Sequence, residues 1–374
     1  MKNALIVSLN FRVAHVSHLV ASYKQQQELG YNSYLYIHPN LIPFIPTGIR
    51  YITGLDQIKE VSLAIFWFPA AKNLKEMIRL KWKYKAKLIY VFHEPIESFQ
   101  TYRKFGLSPS EIAKTYIRYA YTLSFLSASD FIILPSKKAY SLYEASFGRR
   151  INSHYRMIPL LFDDERKGYA PVRRYFSYIG TIAHDHAYNE FIRFILRFST
   201  DDSCPMDLKF LIATRNQVDK TAELISLIDN DKLVVQEGRP LSDDEINSFY
   251  AQSYCVWNAY HRTTQSGVLA KASMFGTPAI VTKDNLSEFS VDGQNVSSCD
   301  DNSNYSQIKS AFMRIINQFG AYSANSRKIF ETYFNYKSHN KEMLEITNRL
   351  TNFNTGGGSS LTEYSLFCME RRAA

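Results

Sequence analysis

The stretch QSGVLAKASMFGTPAIV, residues 265 to 281, combines a serine, a glycine and a short helical run that precedes a buried strand. Ser266 is suited to cap a helix, and the backbone N–H groups of Gly267 and Val268 would then point out of its first turn. Such unpaired N–H groups bind phosphate. The pattern predicts a diphosphate cradle, to which we also assign Gln265. An ordinary serine N-cap is the alternative.

A second polar pair follows a predicted strand in the first half of the chain, where YVFHEP ends in Pro95. His93 and Glu94 are therefore expected at the carboxyl edge of a parallel sheet, where ligands of such sheets bind. A histidine can exchange protons near neutral pH beside a reacting phosphate, so we treat both residues as candidate catalytic groups. The alternative for the histidine is a hydrogen-bonded structural role.

Three arginines follow predicted strands of the second half: Arg215 after FLIAT, Arg239 after VVQEG and Arg262 after CVWNAY. A planar guanidinium can hold two phosphate oxygens, and a departing diphosphate needs fixed cations or hydrogen-bond donors. We predict that these arginines bind the phosphates of a ligand. A solvated surface position is the alternative for each of them.

Paired aspartates that could place a metal on a diphosphate occur at residues 163–164, 201–202 and 243–244. They fall in a predicted linker, a loop and a helix start, so we expect no metal site. The loop after the first predicted strand carries neither a GxGxxG fingerprint nor a Walker lysine, which leaves a dinucleotide dehydrogenase and a P-loop NTPase unsupported. We expect no cofactor.

Parallel sheets are needed to position these residues, and apolar runs of strand length indeed alternate with amphipathic segments of helix length. The predicted strands are ALIVSLN, SYLYI, LAIFWF, KLIYVFH, FIILPS and RMIPL in the first half, and YFSYIGT, LKFLIAT, KLVVQEG, CVWNAY and PAIVTK in the second. The fold class is therefore α/β, with two Rossmann-like domains facing a central cleft.

The charged segment LFDDERKGYAPVRRY, residues 161 to 175, has no apolar periodicity and separates the two halves. We place an acceptor-binding domain at 1–165, a second domain at 166–325 and C-terminal helices that pack back on the first domain at 326–352. Residues 353–374 begin with a Gly/Ser run of linker composition, which predicts a disordered tail or an expression-vector remnant.

The amino-acid composition limits the classes of protein to which this chain can belong. The 374 residues are 45% hydrophobic and 21% charged, enough for two sizeable cores. The four cysteines are far apart, which favours a reducing cytoplasm, and the N-terminal apolar stretch is too short for a signal peptide or a bilayer span. The net charge of +9 favours a polyanionic partner. No motif for nucleic-acid recognition is evident, so we expect no nucleic-acid partner.

Part of the positive charge lies in AKNLKEMIRLKWKYKAK, residues 71 to 87, where seven Lys and Arg residues surround Trp82 and Tyr84. Cations interleaved with aromatics suit an anionic membrane surface. We therefore expect a peripheral protein on the inner face of the cell membrane. The alternative, which can hold at the same time, is a crossover helix packed on the sheet through Leu74, Met77, Ile78 and Leu80.

Taken in order, FHEP, FIILPS, RMIPLLFD, YFSYIGT, LKFLIAT, QSGVLAKASMFGTPAIVT and LSEF resemble the GT-B-fold glycosyltransferases of family 4. Those enzymes take a sugar from a nucleoside diphosphate and retain its anomeric configuration. The C-terminal domain holds the nucleotide and the N-terminal domain holds the acceptor. The resemblance thus implies a nucleotide-sugar donor and a glycan or lipid-linked acceptor in the synthesis of cell-envelope polysaccharide.

The resemblance also implies roles for individual residues. His93 matches the family's cleft histidine near the donor sugar and the leaving phosphate. Glu288 in LSEF matches an acidic residue of the donor-binding domain. The backbone from Ser266 to Val268 matches the phosphate-facing turn.

Four family side chains are replaced. The usual pair of glutamates spaced eight apart falls on Thr263 and Lys271, and the usual arginine and lysine after a glycine fall on Thr181 and His186. A ribose diol is best held by a carboxylate, so with Lys271 at this position the sequence does not show which residue binds the ribose. We keep Thr181 and Lys271 as donor-binding candidates, with Lys271 contacting a phosphate. The alternative is a non-catalytic GT-B subunit that binds a glycan or supports a partner transferase.

Overall fold

The computed structural model describes residues 2–67, 70–93, 95–104, 106–147, 154–166 and 172–352. The predicted catalytic residue Glu94 and the predicted tail 353–374 lie outside the described residues.

Two parallel sheets organise the chain. Within the described residues the first sheet has seven strands, β1 (Asn3–Ser8), β2 (Asn32–Ile37), β3 (Tyr51–Ile52), β4 (Leu63–Phe66), β5 (Lys87–Val91), β6 (Phe131–Leu134) and β7 (Tyr155–Met157). The described part of the second sheet has six, β8 (Tyr175–Ile179), β9 (Lys209–Ala213), β10 (Leu233–Gln236), β11 (Ser253–Asn258), β12 (Ala279–Thr282) and β13 (Val296–Cys299). We call the units centred on them the first and the second domain.

Helices connect the strands and cover the sheets. In the described segments they are α1 (Val16–Glu28), α2 (Ala71–Lys83), α3 (Phe99–Lys104), α4 (Pro109–Ala128), α5 (Lys137–Ser146), α6 (Tyr188–Phe198), α7 (Ala222–Asp229), α8 (Asp243–Ala251), α9 (Gly267–Met274), α10 (Tyr305–Asn317), α11 (Phe319–Ile329) and α12 (Asn340–Asn352). Ser108, Ser136, Thr221, Ser242 and Ser266 each cap the helix that follows through the side-chain oxygen.

The central strands of both sheets are buried on both faces, as parallel sheets require, whereas the edge strands β3, β7 and β10 are partly exposed. In β1, residues 4 to 7 are fully buried. Trp257 in β11 lies between Phe176 and Phe191 in the core of the second domain. Burying each such aromatic side chain contributes about 1.5 to 3 kcal/mol, so these contacts fix the sheet and helix positions from which the cleft loops extend.

Strand order decides where a ligand can bind. The first sheet has the order β3-β2-β1-β4-β5-β6-β7, and the second has the order β10-β9-β8-β11-β12-β13. In the first sheet the direction of the connections reverses between β1 and β4, and in the second it reverses between β8 and β11. Open α/β sheets bind ligands at these switch points, outside the carboxyl ends of the strands.

The end of the described chain returns to the first domain. Phe162 pairs with the segment at Asn335, and the N–H group of Tyr336 donates to the carbonyl oxygen of Phe162 at 3.0 Å. In α12, Met343 and Ile346 are buried in the core beneath the first sheet. Helix α12 therefore packs on the first domain, while Phe330 and Phe334 before it are buried in the core of the second.

Candidate functional site

A cavity of about 360 Å³ lies between the two domains. Its lining includes the segments after β1 and β4 in the first sheet and after β8 and β11 in the second. Both switch points therefore open into the same cavity. This arrangement suits a ligand that contacts the two domains at once.

The turn at the start of α9 forms part of the lining, with residues 265 to 268 all at the cavity. The Ser266 hydroxyl accepts a hydrogen bond from the N–H group of Leu269 at 3.3 Å and donates one to Asn258 Oδ1 at 2.7 Å. The side chain thus both caps the helix and is anchored to the end of β11. The predicted phosphate cradle of Ser266, Gly267 and Val268 is therefore held in a fixed position at the cavity.

Two buried donors on lining residues have no hydrogen-bond partner among the described residues. Gln265 Oε1 accepts from the N–H group of Leu160 at 2.9 Å, while its Nε2 atom is unpartnered. The indole Nε1 of Trp67 is likewise unpartnered. Buried polar atoms are nearly always paired, so these donors are suited to the hydroxyl or carbonyl oxygens of a ligand.

Opposite α9, the loop after β8 brings its backbone close to the cavity. Gly180 has φ +143°, a backbone conformation that favours glycine. The carbonyl of Thr181 accepts from Tyr178 Oη at 2.9 Å and from His186 Nδ1 at 2.6 Å. The donor-binding candidate Thr181 therefore lines the cavity, although its carbonyl is already engaged.

The first domain contributes three histidines. His18 Nδ1 donates to the carbonyl of Leu161 at 3.0 Å, and its ring stacks on Trp67 with centroids 5.2 Å apart. Desolvation by burial lowers the pKa of His18 to about 4. Burial, with His18 nearby, also holds the pKa of His15 well below its usual value. Both imidazoles are therefore neutral at physiological pH.

His93 also lines the cavity, after β5, where sequence reasoning predicts it. Its carbonyl oxygen accepts a hydrogen bond from Thr264 Oγ1 of the second domain at 3.2 Å. The same segment, 263 to 265, is held by Ser136 Oγ, which donates to the Thr264 carbonyl at 2.7 Å. Contacts across the cleft thus fix His93 and the approach to α9 relative to each other.

The predicted arginines have different surroundings. Arg262 lines the cavity but its Nε atom pairs with Glu97 of the first domain, and both side chains are about nine-tenths buried. Arg215 lines the cavity, is exposed and has no ion pair among the described residues. Arg215 is therefore the predicted arginine best placed to meet a phosphate.

Arg239 lies outside the cavity lining. Its guanidinium reaches Glu245 Oε1 at 2.5 Å and Oε2 at 3.1 Å, six residues along the chain. The Glu245 carboxylate also belongs to the capping box of α8. The prediction that every arginine after a strand faces the ligand overlooks this local partner, which holds Arg239 beside α8.

Glu288 also lies outside the cavity lining. Its Oε1 atom accepts the backbone N–H of Lys137 at 2.7 Å. Lys137 is the first residue of α5, and an anionic side chain at a helix N-terminus is stabilising. The described geometry therefore gives Glu288 a contact between the domains rather than one with the cavity.

Lys271 is buried, with a side chain only 8% exposed, and it occupies a charge cluster. Its Nζ atom lies 2.5 Å from Asp243 Oδ1 and 3.4 Å from Glu165 Oε2, and it donates to Ser17 Oγ at 2.9 Å. Glu165 Oε2 also accepts from Asn247 Nδ2 at 2.7 Å. The positive charge of Lys271 is thus matched by carboxylates of the protein, which sequence reasoning did not anticipate.

The outer face of the first domain carries the basic helix. In α2, Met77 and Leu80 are buried, but Ile78 is 47% exposed and Trp82 is 80% exposed, so Ile78 does not pack on the sheet as predicted. The adjoining α3 and α4 expose further apolar, aromatic and basic side chains: Phe99, Arg103, Lys104, Lys114, Tyr116, Ile117, Arg118 and Tyr121. We call this surface the α2–α4 face.

No helix in the described ranges is long and apolar enough to cross a membrane. Among the same residues, no group of three or more His, Cys, Asp and Glu side chains is arranged to hold a metal ion.

Comparison with known proteins identifies the fold. No family model matches the chain, and no curated protein matches it. Among solved structures, sucrose-phosphate synthase from Thermosynechococcus elongatus is similar with a TM-score of 0.69 and 12% identity, covering 94% of this chain and 100% of that one. HepE from Anabaena, in complex with UDP and glucose, gives a TM-score of 0.66 at 12% identity, covering 93% and 100% of the two chains.

A glycosyltransferase from Rickettsia africae is also similar, with a TM-score of 0.64 at 11% identity, covering 93% of this chain and 98% of that one. These matches extend over both sheets. The chain therefore has the GT-B fold, and the predicted architecture of two Rossmann-like domains facing a cleft is confirmed.

Proposed function

We propose that this protein is a retaining glycosyltransferase that moves a sugar from a nucleoside diphosphate sugar to a glycan or lipid-linked acceptor in cell-envelope polysaccharide synthesis. The observation that carries the proposal is that one cavity is lined by His93 of the first domain and by both the α9 N-terminus and Arg215 of the second. HepE, which has the same fold, was crystallised with UDP-glucose. That complex supports a nucleotide-sugar donor here.

In the proposed reaction, the bond between the anomeric carbon and the diphosphate oxygen breaks. The acceptor hydroxyl oxygen bonds to that carbon on the same face, and its proton leaves to the departing phosphate oxygen. Negative charge grows on the diphosphate, where the N–H groups of Gly267 and Val268 and the guanidinium of Arg215 are available to stabilise it. His93 donates a hydrogen bond at the reacting centre.

The α2–α4 face supports a membrane-bound acceptor and a peripheral position on the inner face of the membrane. Exposed Trp82 and Ile117 can enter the lipid headgroup region, and the surrounding cations attract anionic lipid. Each cation near the surface contributes about 1 kcal/mol. Sedimentation with vesicles containing phosphatidylglycerol should therefore recover the protein, and vesicles of phosphatidylcholine alone should not.

The direct test is sugar transfer. A panel of UDP-, GDP- and dTDP-sugars is incubated with lipid-linked acceptors, and both transferred and hydrolysed sugar are measured. Transfer from one donor with retention of the anomeric configuration supports the proposal. If a folded protein neither transfers nor hydrolyses any donor, the proposed activity is wrong.

One observation favours a second candidate, a non-catalytic GT-B subunit that binds glycan or supports a partner transferase. Two of the cations near the cavity, Lys271 and Arg262, are matched by carboxylates, which leaves less free charge for a diphosphate. Calorimetry with UDP, GDP and dTDP separates the candidates. Binding of any of them in the micromolar range argues against the second candidate.

A further inference from the structure

The buried Lys271 pairs with the carboxylate of Asp243. Asp243 is the first residue of α8 and lines the same cavity as the α9 turn. Its side chain is 33% exposed, so the carboxylate is accessible from the cavity while remaining anchored. No sequence motif marks this residue, because Asp243 and Asp244 read as the start of an ordinary capped helix.

The two oxygens of Asp243 have different environments. Oδ1 receives both anchoring contacts, from Lys271 Nζ at 2.5 Å and from Ser17 Oγ at 3.0 Å. Oδ2 has no hydrogen-bond or ion-pair partner among the described residues. The side chain is thus fixed through one oxygen, and the other is available as an acceptor.

We propose that Asp243 is the carboxylate that binds the ribose hydroxyls of the donor nucleotide, with Lys271 as the positioning residue that orients it. A carboxylate is the group best suited to accept hydrogen bonds from a diol. Here it comes from α8, whereas Lys271 occupies the position of α9 at which a glutamate is usual in the resembling family. The ribose would therefore still contact a carboxylate, but that carboxylate comes from α8 instead of α9.

The neighbouring groups agree with this assignment. The α9 N-terminus and Asp243 line the same cavity, and Lys271 of α9 contacts Asp243, so one ligand can meet the Gly267 and Val268 N–H groups with its diphosphate and Asp243 with its ribose. Glu165, the second carboxylate beside Lys271, is engaged by Asn247 and does not line the cavity. Asp243 is therefore the carboxylate of the cluster that a ligand can reach.

The inference rests on the proposed nucleotide-sugar function, and the experiment separates the two. Calorimetry is performed with UDP, GDP, ADP and CDP and with the 2′-deoxy form of each. The wild-type protein should bind its preferred ribonucleotide about tenfold more tightly than the 2′-deoxy form, because one hydrogen bond to a charged acceptor is lost. In Asp243→Asn this ratio should fall below about threefold.

Asp244→Asn is the matched control, since it removes the same charge from the next, exposed residue of α8 and does not touch the cavity. It should keep the wild-type ratio. Lys271→Met should lower the ratio by releasing Asp243. Because each ratio compares two ligands on the same variant, a general loss of stability affects both and cancels.

An unchanged ratio in Asp243→Asn, or a wild-type protein that binds both forms equally, overturns the assignment while leaving the nucleotide-sugar function intact. Binding of dTDP alone overturns the assignment and leaves the proposed function intact. If the folded wild-type protein binds neither the ribonucleotides nor dTDP at millimolar concentration, both the assignment and the proposed function are wrong.

Discussion

The two domains share a parallel-sheet architecture but present different chemistry to the cavity between them. The first domain lines the cavity with aromatic side chains: His15 and His18 are neutral, and Trp67 stacks on His18. The second domain offers cations and the α9 N-terminus, and two of its cations, Lys271 and Arg262, are matched by carboxylates. Much of the charge around the cavity is therefore neutralised by the protein itself: the buried histidines of the first domain are uncharged, and Lys271 and Arg262 of the second domain are paired. Arg215 is the exception, since it lines the cavity without an ion pair among the described residues.

In the second domain, we expect the ion pairs of Lys271 to contribute strongly to the free energy of unfolding. Lys271→Glu places a third carboxylate beside Asp243 and Glu165 and removes the buried cation that compensates them. We expect the free energy of unfolding to fall by about 3 to 5 kcal/mol, measured by urea denaturation. Lys283→Glu, which alters an exposed pair with Asp300, should cost less than about 1 kcal/mol. If both variants lower the free energy of unfolding equally, the buried cluster contributes no more to stability than an exposed ion pair.

The buried, neutral His18 of the first domain should make the free energy of unfolding depend on pH. The pKa of His18 is lowered to about 4 in the folded protein, whereas an unfolded histidine titrates near 6.5. Below pH 6.5 the unfolded chain binds the proton first, so stability is present above that pH and is lost as pH falls toward 4. The loss attributable to His18 should approach about 3 kcal/mol.

Thermal unfolding at pH 7, 6 and 5 measures this slope. His18→Gln keeps a polar side chain without a titrating ring, so its melting temperature should fall less steeply with acidity than that of the wild type. Parallel curves would mean that His18 does not titrate at a depressed pKa.

In the proposed function His93 acts at the reacting centre, whereas His15 and His18 of the same domain are structural. His93→Ala should lower kcat on the order of 100-fold, since a positioned donor or acid at the reacting centre is lost. Folding should be unaffected, because His93 is only partly buried. His154→Ala is the control, as an exposed histidine outside the cavity lining. A kcat within about twofold of the wild-type value would return His93 to a structural role.

Arg215 tests whether the second domain depends on an unpaired cation. Arg215→Met should weaken binding of the nucleoside diphosphate by about tenfold while leaving the affinity for the nucleoside unchanged, as expected for one charge-assisted contact to phosphate. Arg239→Met, which removes an arginine paired with Glu245, should change neither affinity. Calorimetry with the diphosphate and the nucleoside distinguishes these outcomes, and equal weakening of both ligands would contradict a phosphate contact.

The sequence by itself determined much of the architecture, because the relevant signals are local. Apolar runs of strand length alternate with amphipathic segments, and that pattern is enough to predict two parallel α/β domains. Ser266 caps α9, and His93 follows a strand, for reasons written in a few neighbouring residues. Strand β13 was missed because its sequence VSSC is poor in the large apolar residues that mark a buried strand, although all four residues are buried.

Only the tertiary structure decided which charged side chains form ion pairs and which remain available to a ligand. Lys271 meets Asp243 from another helix and Glu165 from the segment between the domains, and Arg262 meets Glu97 across the cleft. These partners are 28, 106 and 165 residues away along the chain, so no local pattern relates them. An ion pair forms where the fold brings two distant segments of the chain within hydrogen-bonding distance. That distance depends on how the two sheets face each other, not on the residues adjoining either charge.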